Sequence, residues 1–328
     1  MKVAVFGAGA IGCWVGGRLL ANEAADVTLI GRVRVLSELR DGLALSDLSG
    51  AKWNVLPSLS ESTGVAKSAD VVLVTVKSAQ TEEVARELVG AKGLIISLQN
   101  GVHNADILRA ALPENTVLAG MVPFNVARIG YGAYHRGTSG DLMIEAHPTL
   151  EPLLLAAKAA GLAIETRGDM PAVQWGKLVM NLNNAINALS GRPLRDELAD
   201  RDFRRCLAAA QKEALDVIEA AKLPVATLMK LPPRWVARIL PMPDFLFEKI
   251  ANRVASVDPA ARSSMQDDFI AGRPTEIDYL QGEIVKLAAQ YKRPAPVNQK
   301  LVELVRAAEA GGKRDFSGSE LYAALGRP

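Results

Sequence analysis

The 328-residue chain is poor in the residues that most often mark a reactive centre. Its two cysteines, Cys13 and Cys206, are far apart and outside any CxxC spacing, so the sequence offers neither a disulfide framework nor a cysteine zinc pattern. A reducing cytosol is the expected compartment. The three histidines, His103, His135 and His147, do not neighbour one another, and no metal is expected. Charge of one sign is missing too: 38 basic residues face 36 acidic ones, a net charge of +2. That balance, with no long single-sign run, excludes the footprint of a nucleic-acid binder. No apolar run reaches the ~18–20 residues of a membrane span, and the N-terminus enters a strand pattern directly instead of a signal peptide. A soluble, cytoplasmic protein without a membrane partner is expected. Apolar residues make up 49% of the chain and charged ones 23%, which is ordinary globular usage. The length suits about two domains of ~100–200 residues each.

Lys2 to Phe6 (KVAVF) is a short strand pattern that runs into GAGAIG, residues 7–12, followed by CWVGGRLLANE at helical period. Strand, glycine turn and helix in that order give the turn its physics. Gly7 permits the tight turn, Gly9 lets a pyrophosphate approach the backbone, and Gly12 lets helix pack on strand. With Ala8, Ala10 and Ile11 they form the expected phosphate cradle at a helix N-terminus. A second strand, DVTLI (26–30), completes a βαβ unit and is followed by Gly31-Arg32-Val33-Arg34. No carboxylate stands where an NAD site would place one for the ribose hydroxyls. Arg32, with Arg34 as second candidate, suits a 2′-phosphate and points to NADP; the alternative is a solvated loop arginine.

Two more apolar strands, DVVLVTVK (70–77) and GLIISLQNG (93–101), flank a helix over 81–88, which implies a parallel doubly wound sheet. Ligands bind at the carboxyl ends of such strands, so Lys77 and Asn100 are expected to line the cofactor cleft, against ordinary loop roles. From Thr116 to Glu145, glycine-broken extended runs read as antiparallel strands appended to that sheet. A helix over 150–160 and a strand over 163–166 bring the first domain to its end near Gly168. Residues 169–328 read as an all-helical second domain closing over the nicotinamide, with a partly ordered tail at the end.

Within that second half stands QWGKLVMNLNNAINALSG (174–191). A single helix from Trp175 to Leu189 places Leu178, Leu182, Ala185, Ile186 and Leu189 on one face and Lys177, Asn181 and Asn184 on another. A solvated face is normally built from Glu, Lys, Gln and Arg, whereas asparagine is a poor helix former. One cation among amides makes a better lining for a polar pocket, in which Lys177 has a lowered pKa and works as a general acid. The alternative is an inter-domain helix with structural asparagines; Asn183 points elsewhere and Asn187 lies at the margin. Further on, Thr275 and Asp278 suggest a capping box with Glu276 in the first turn of a helix, and Ser263 and Ser264 say little alone. The Pro-rich segment 228–247 reads as an interface or a lid.

GAGAIG, VTVKSAQ, LQNGV, WGKLVMN and SSMQDDFIAGRPTEIDY, in that order, resemble the ketopantoate reductase (2-dehydropantoate 2-reductase) family over nearly the whole chain. The glycine turn is widespread; WxKLxxN followed by SSMxxD and TEIDY is more specific. The resemblance implies a Rossmann-type NADP-binding domain (1–168), a helical substrate domain (169–328), and an NADPH-dependent reduction of a 2-oxo acid. The substrate it implies is 2-dehydropantoate, reduced to pantoate in pantothenate biosynthesis. It makes Lys177 the catalytic acid, places Asn100 on nicotinamide ribose and substrate, and gives Asn181 and Ser264 to the substrate. Glu276 it assigns to the substrate hydroxyl and cofactor ribose. The family commonly has an asparagine eight residues after the lysine, where this chain has Ala185; Asn184 is the substitute, and Arg195 falls near another polar position. Another 2-oxo acid, or an NADP-binding regulator without turnover, are the alternatives, and a homodimer is compatible with the sequence.

Overall fold

The computed structural model describes residues 1–251 and 261–328, which divide into two compact units, Met1–Met170 and Pro171–Pro328. In the first unit the strands are β1 (Lys2–Phe6), β2 (Asp26–Ile30), β3 (Leu43–Asp47), β4 (Lys52–Val55), β5 (Ser58–Ser60), β6 (Val71–Val74), β7 (Leu94–Ser97), β8 (Val117–Met121), β9 (Val126–Gly130), β10 (Ala133–Arg136), β11 (Leu142–Glu145) and β12 (Ile164–Arg167). Its helices are α1 (Ala10–Leu20), α2 (Val33–Ser37), α3 (Thr81–Glu87), α4 (Asn104–Ala111) and α5 (Glu151–Ala159).

Eight strands form one sheet in the order β5-β2-β1-β6-β7-β8-β11-β12, parallel from β5 through to β8. Side chains on a strand alternate between faces, and both faces here are buried. Val3 and Val5 of β1, with Val71 and Leu73 of β6, join a core with Trp14 of α1 and Leu153 of α5. Ala4, Phe6, Val72 and Val74 join another core with Val84 of α3 and Leu108 of α4. That two-sided burial is why these strands read as continuous apolar runs.

The stretch over 116–145 differs from the expected appendage. Strand β8 lies parallel to β7, and only β11 runs antiparallel to β8. The hairpin β9–β10 leaves for a second sheet of order β4-β3-β10-β9, in which β10 pairs parallel with β3. Helix α1 fits close to both sheets because it carries no side chain at two adjacent positions. A Cβ at Gly16 would lie 3.0 Å from Leu29, and one at Gly17 would lie 2.7 Å from Leu45.

The second unit takes its helices in the order α6 (Met170–Asn181), α7 (Asn183–Ser190), α8 (Leu194–Ala199), α9 (Arg201–Ala220), α10 (Pro233–Ile239), α11 (Asp244–Ala251), α12 (Ser264–Ile270), α13 (Gln281–Gln290), α14 (Pro296–Glu309) and α15 (Gly318–Ala324). No strand occurs among its described residues. The long helix α9 packs against α10, α13, α14 and α15. Glu213 of α9 accepts the backbone N–H groups of Val297 and Asn298, each at 2.9 Å, and so caps α14. The segment 228–247 is clasped to α9. Arg204, fully buried, donates to the carbonyls of Leu240 and Met242 and to Asp244, and Arg201 donates to the Pro241 carbonyl. The C-terminal residues, expected as a partly ordered tail, include α15, which opens on a Ser317–Glu320 capping box.

Candidate active site

At the carboxyl end of β1 the chain turns through Gly7, whose φ of +119° suits glycine alone. The Ile30 carbonyl of β2 accepts the N–H groups of both Gly7 and Ala8, at 3.0 and 3.1 Å. A Cβ at Gly12 would lie 2.1 Å from the Gly7 carbonyl oxygen, so helix and turn can approach only through glycine. Gly9, the N-cap residue of α1, is different: a Cβ there would meet nothing within 4 Å. The first intrahelical bond runs from Cys13 N–H to the Gly9 carbonyl, which leaves the N–H groups of Ala10, Ile11 and Gly12 outside the helix ladder. Open space before uncommitted donors at a positive helix end fits a phosphate.

The turn lies between β1's two neighbours, β2 and β6, where the strand order reverses. The Thr75 hydroxyl, just past β6, donates to the Gly7 carbonyl at 2.7 Å. On the other side, a Cβ at Gly31 would lie 3.0 Å from that of Ala8, so Arg32, the exposed next residue, stands beside the glycine turn. Arg32 is also the N-cap residue of α2, which contains Arg34.

Lys77 follows β6 and Asn100 follows β7, and both are half-buried. Beneath them lies a polar network absent from the sequence reading. Gln99 Nε2 donates to the Val76 carbonyl at 3.1 Å and to Thr81 Oγ1 at 2.8 Å. Thr81 Oγ1 donates to Asn104 Oδ1 at 2.7 Å, Ser78 Oγ donates to the Asn100 carbonyl at 2.8 Å, and Asn104 Nδ2 donates to both Ser78 Oγ and that carbonyl. Ser78, Thr81, Gln99 and Asn104 are all buried. They lock the loop carrying Lys77 to the loop carrying Asn100. The signal available in sequence was a run of small polar residues directly after two apolar strands.

In the second unit the expected single helix is two. Leu182 separates α6 from α7, and its carbonyl accepts from the buried Gln281 Nε2 at 2.8 Å. A side chain inserted into the ladder is a recognised cause of a break. Lys177 and Asn181 therefore share α6, one turn apart, while Asn184 sits on α7 and reaches Ser264 Oγ of α12 with its Nδ2 at 3.5 Å. Lys177 is half-buried, and loss of hydration brings its ammonium pKa down from 10.5 to about 8. Asn181 is buried and Ser264 exposed. Ala185 is fully buried in the helical core, and Arg195 belongs to α8.

The remaining asparagines have separate work. Asn183 Nδ2 and Asn187 Nδ2 donate to Glu197 Oε2, at 3.3 and 2.9 Å. Glu197 is fully buried, and burial pushes its carboxyl up to about 8. Glu276 is not in the first turn of an α-helix. It precedes a short 3₁₀ turn, Ile277–Tyr279, and the Thr275 hydroxyl accepts from Ile277 N–H at 3.3 Å, while Asp278 pairs with Arg306. In place of the expected capping box, the Thr275 hydroxyl closes a turn onto the Ile277 N–H, and Asp278 pairs with Arg306 of α14. Gln281, five residues on, ties this segment to the α6–α7 break. Among the described residues no group of three or more His, Cys, Asp or Glu side chains could hold a metal ion, and no helix is long and apolar enough to cross a membrane.

Residues 3–149 match the family model described as Ketopantoate reductase PanE/ApbA, and residues 169–309 match Ketopantoate reductase PanE/ApbA C terminal. The chain is 30% identical to a 2-dehydropantoate 2-reductase of Halobacterium salinarum, over 95% of this chain and 100% of that one. It is similar to the solved structure of a PanE/ApbA family ketopantoate reductase from Ralstonia eutropha JMP134, with 31% identity and a TM-score of 0.80 over 95% of this chain and 99% of that one. A D-mandelate dehydrogenase solved with NADH and anilino(oxo)acetate shares the fold at 20% identity, with a TM-score of 0.77 over 95% of this chain and 99% of that one.

Proposed function

Because this chain belongs to the ketopantoate reductase family, we propose that it is the NADPH-dependent reductase of a 2-oxo acid, 2-dehydropantoate, forming pantoate for pantothenate biosynthesis. The observation that carries the reading is a half-buried lysine whose pKa is brought to about 8, one helical turn from a buried asparagine. An acid of that strength is still protonated at neutral pH and gives up its proton readily.

The reduced nicotinamide, when bound, supplies the hydride taken up by the substrate's C2 carbonyl carbon. Lys177 donates first a hydrogen bond and then its proton to the C2 oxygen as negative charge develops there, which completes the alcohol. Asn181 and Asn184 hydrogen-bond the substrate, and Ser264 holds its carboxylate. Glu276 accepts from the substrate hydroxyl and a cofactor ribose. Gly7, Ala8, Gly9, Ala10, Ile11 and Gly12 bind the pyrophosphate, and Lys77 and Asn100 bind the nicotinamide half. Arg32 pairs with the 2′-phosphate, which favours NADPH over NADH.

The test follows NADPH absorbance with purified protein and a panel of 2-oxo acids that includes 2-dehydropantoate. Rapid oxidation with 2-dehydropantoate is expected; no oxidation with any member of the panel refutes a reductase. Ala185 favours one variation on this reading. Its methyl group lies in the helical core and the amide is offered by Asn184 instead, a change that a 2-oxo acid with a different side chain would accommodate. Preference for another member of the panel would establish it.

A further inference from the structure

Glu197 is a carboxyl group without solvent, on a helix that contributes nothing to the proposed chemistry. It lies next to the substrate wall through a continuous set of bonds. Its Oε2 accepts from Asn187 Nδ2 at 2.9 Å. Asn187 is itself fully buried, and its Oδ1 accepts the backbone N–H of Ser263 at 2.9 Å. Ser263, buried and the N-cap of α12, donates its hydroxyl to the Asn184 carbonyl at 3.3 Å and accepts the Gln266 N–H at 3.2 Å. The two residues thus held, Asn184 and Ser264, meet at 3.5 Å.

We propose that Glu197 is a positioning residue that, as a neutral carboxylic acid, fixes Asn187 and through it sets the spacing of Asn184 and Ser264 for the substrate. The chemistry favours the neutral form on geometric grounds. An ionised carboxylate buried without a cation nearby is strongly disfavoured. Glu197 is in none of the ion pairs of the described residues, and its neighbours in the network are amides. Glu197 Oε1 and Asn183 Oδ1 are both buried acceptors without a donor. A proton on the Glu197 carboxyl supplies the donor that this group of acceptors lacks. Asn187 is oriented by having each end used: its amide nitrogen serves Glu197 and the Arg192 carbonyl, and its oxygen serves Ser263. Without Glu197 that amide loses a bond and the start of α12 loses its register.

The inference rests on the proposed function for what Asn184 and Ser264 bind, so the test has two readouts. In Glu197→Leu, KM for 2-dehydropantoate is expected to rise about tenfold or more, as for one lost buried hydrogen bond, with kcat and NADPH affinity changed less than about threefold. Glu197→Gln, which stays neutral and keeps an acceptor and a donor, is expected to remain within about threefold of wild type in KM. Amide exchange at Ser263 and Gln266 is expected to accelerate in Glu197→Leu and to stay unchanged in Glu197→Gln. An unaltered KM in Glu197→Leu, equal damage in the two variants, or parallel loss of kcat and NADPH binding overturns the proposal. If Glu197→Leu does not fold, Asn187→Ser breaks the same link and is judged by the same criteria; failure of both to fold overturns it, since the cluster is then a determinant of the fold. Should wild type reduce no 2-oxo acid, the functional reading fails by itself, and amide exchange still decides the positioning.

Discussion

Lys177→Met keeps the length and apolar stem of the side chain and removes only the ammonium. Burial takes the pKa of that ammonium from 10.5 to about 8, so folding disfavours its charged form. At ~1.4 kcal/mol per pKa unit, the difference amounts to about 3 kcal/mol as a ceiling. Lys177 is only half-buried, and the ammonium's own polar contacts vanish with it, so a gain on the order of 1–2 kcal/mol is the expected size. The sign follows from linkage. Below about 8 lysine is charged in both the folded and unfolded chain, and the full penalty applies; between about 8 and 10.5 the folded form sheds its proton and the penalty fades. Denaturant melts at neutral pH should therefore place Lys177→Met above wild type, and the gap should close as the pH approaches 10.5. Turnover should move the other way, with kcat down by roughly 10²–10⁴ as for a lost general acid and NADPH affinity near wild type. Wild-type turnover itself should decline as pH rises past about 8. A variant less stable than wild type at neutral pH, or one that loses turnover and NADPH binding in parallel, would refute the reasoning and make the lysine structural.

Arg32→Ala should weaken NADPH binding by roughly tenfold or more, the scale of a charge-assisted contact, and leave NADH nearly unaffected; fluorescence titration with each cofactor checks it, and an unchanged preference clears Arg32 of any cofactor role. Gly12→Ala puts a methyl group 2.1 Å from the Gly7 carbonyl oxygen, so cofactor binding should fall sharply and the first unit should lose at least ~1–3 kcal/mol in denaturant titrations. Asn104→Leu leaves Thr81, Ser78 and the Asn100 carbonyl short of partners and should cost ~1–3 kcal/mol of stability, with a raised KM for NADPH; a neutral result would mean that the network does not hold the two loops. Glu197→Gln removes a carboxyl with a pKa of about 8 against an ordinary 4.5, so its stability relative to wild type should grow as pH rises from 4.5 to 8; a pH-independent difference would contradict a buried neutral acid.

Much of the first unit is legible because its signals are local. The KVAVF–GAGAIG–helix order encodes a turn in which Gly7 takes a positive φ and Gly12 approaches the Gly7 carbonyl, and the VVLV and LIIS runs are apolar on both faces since helices cover both. The β3–β4 and β9–β10 hairpins were less legible. Residues 43–55 show no strong alternation, and the partner that makes them strands is supplied from 126–136. In the second unit, Lys177, Asn181 and Asn184 stood out by sharing one face of a single expected helix; Lys177 and Asn181 do lie together on α6, whereas Asn184 lies beyond the break, on α7.

The four asparagines after Lys177 show where sequence stops. Their presence in a helix of otherwise buried pattern was enough to say that they serve something other than solubility, because asparagine is costly there unless its amide is used. What each amide uses was decided by residues brought in from elsewhere. Glu197 takes Asn183 and Asn187, Ser263 lies 76 positions from the amide that anchors it, and Gln281 bonds the Leu182 carbonyl at the helix break from 99 positions away. The sequence determined by itself the strand–glycine-turn–helix unit, the helical character of the second half and the standing of Lys177 as a lone cation among amides. Tertiary structure alone decided which amides bond Glu197 and which lies beside Ser264, since a hydrogen bond depends on a few ångströms in space and the chain order does not carry that distance.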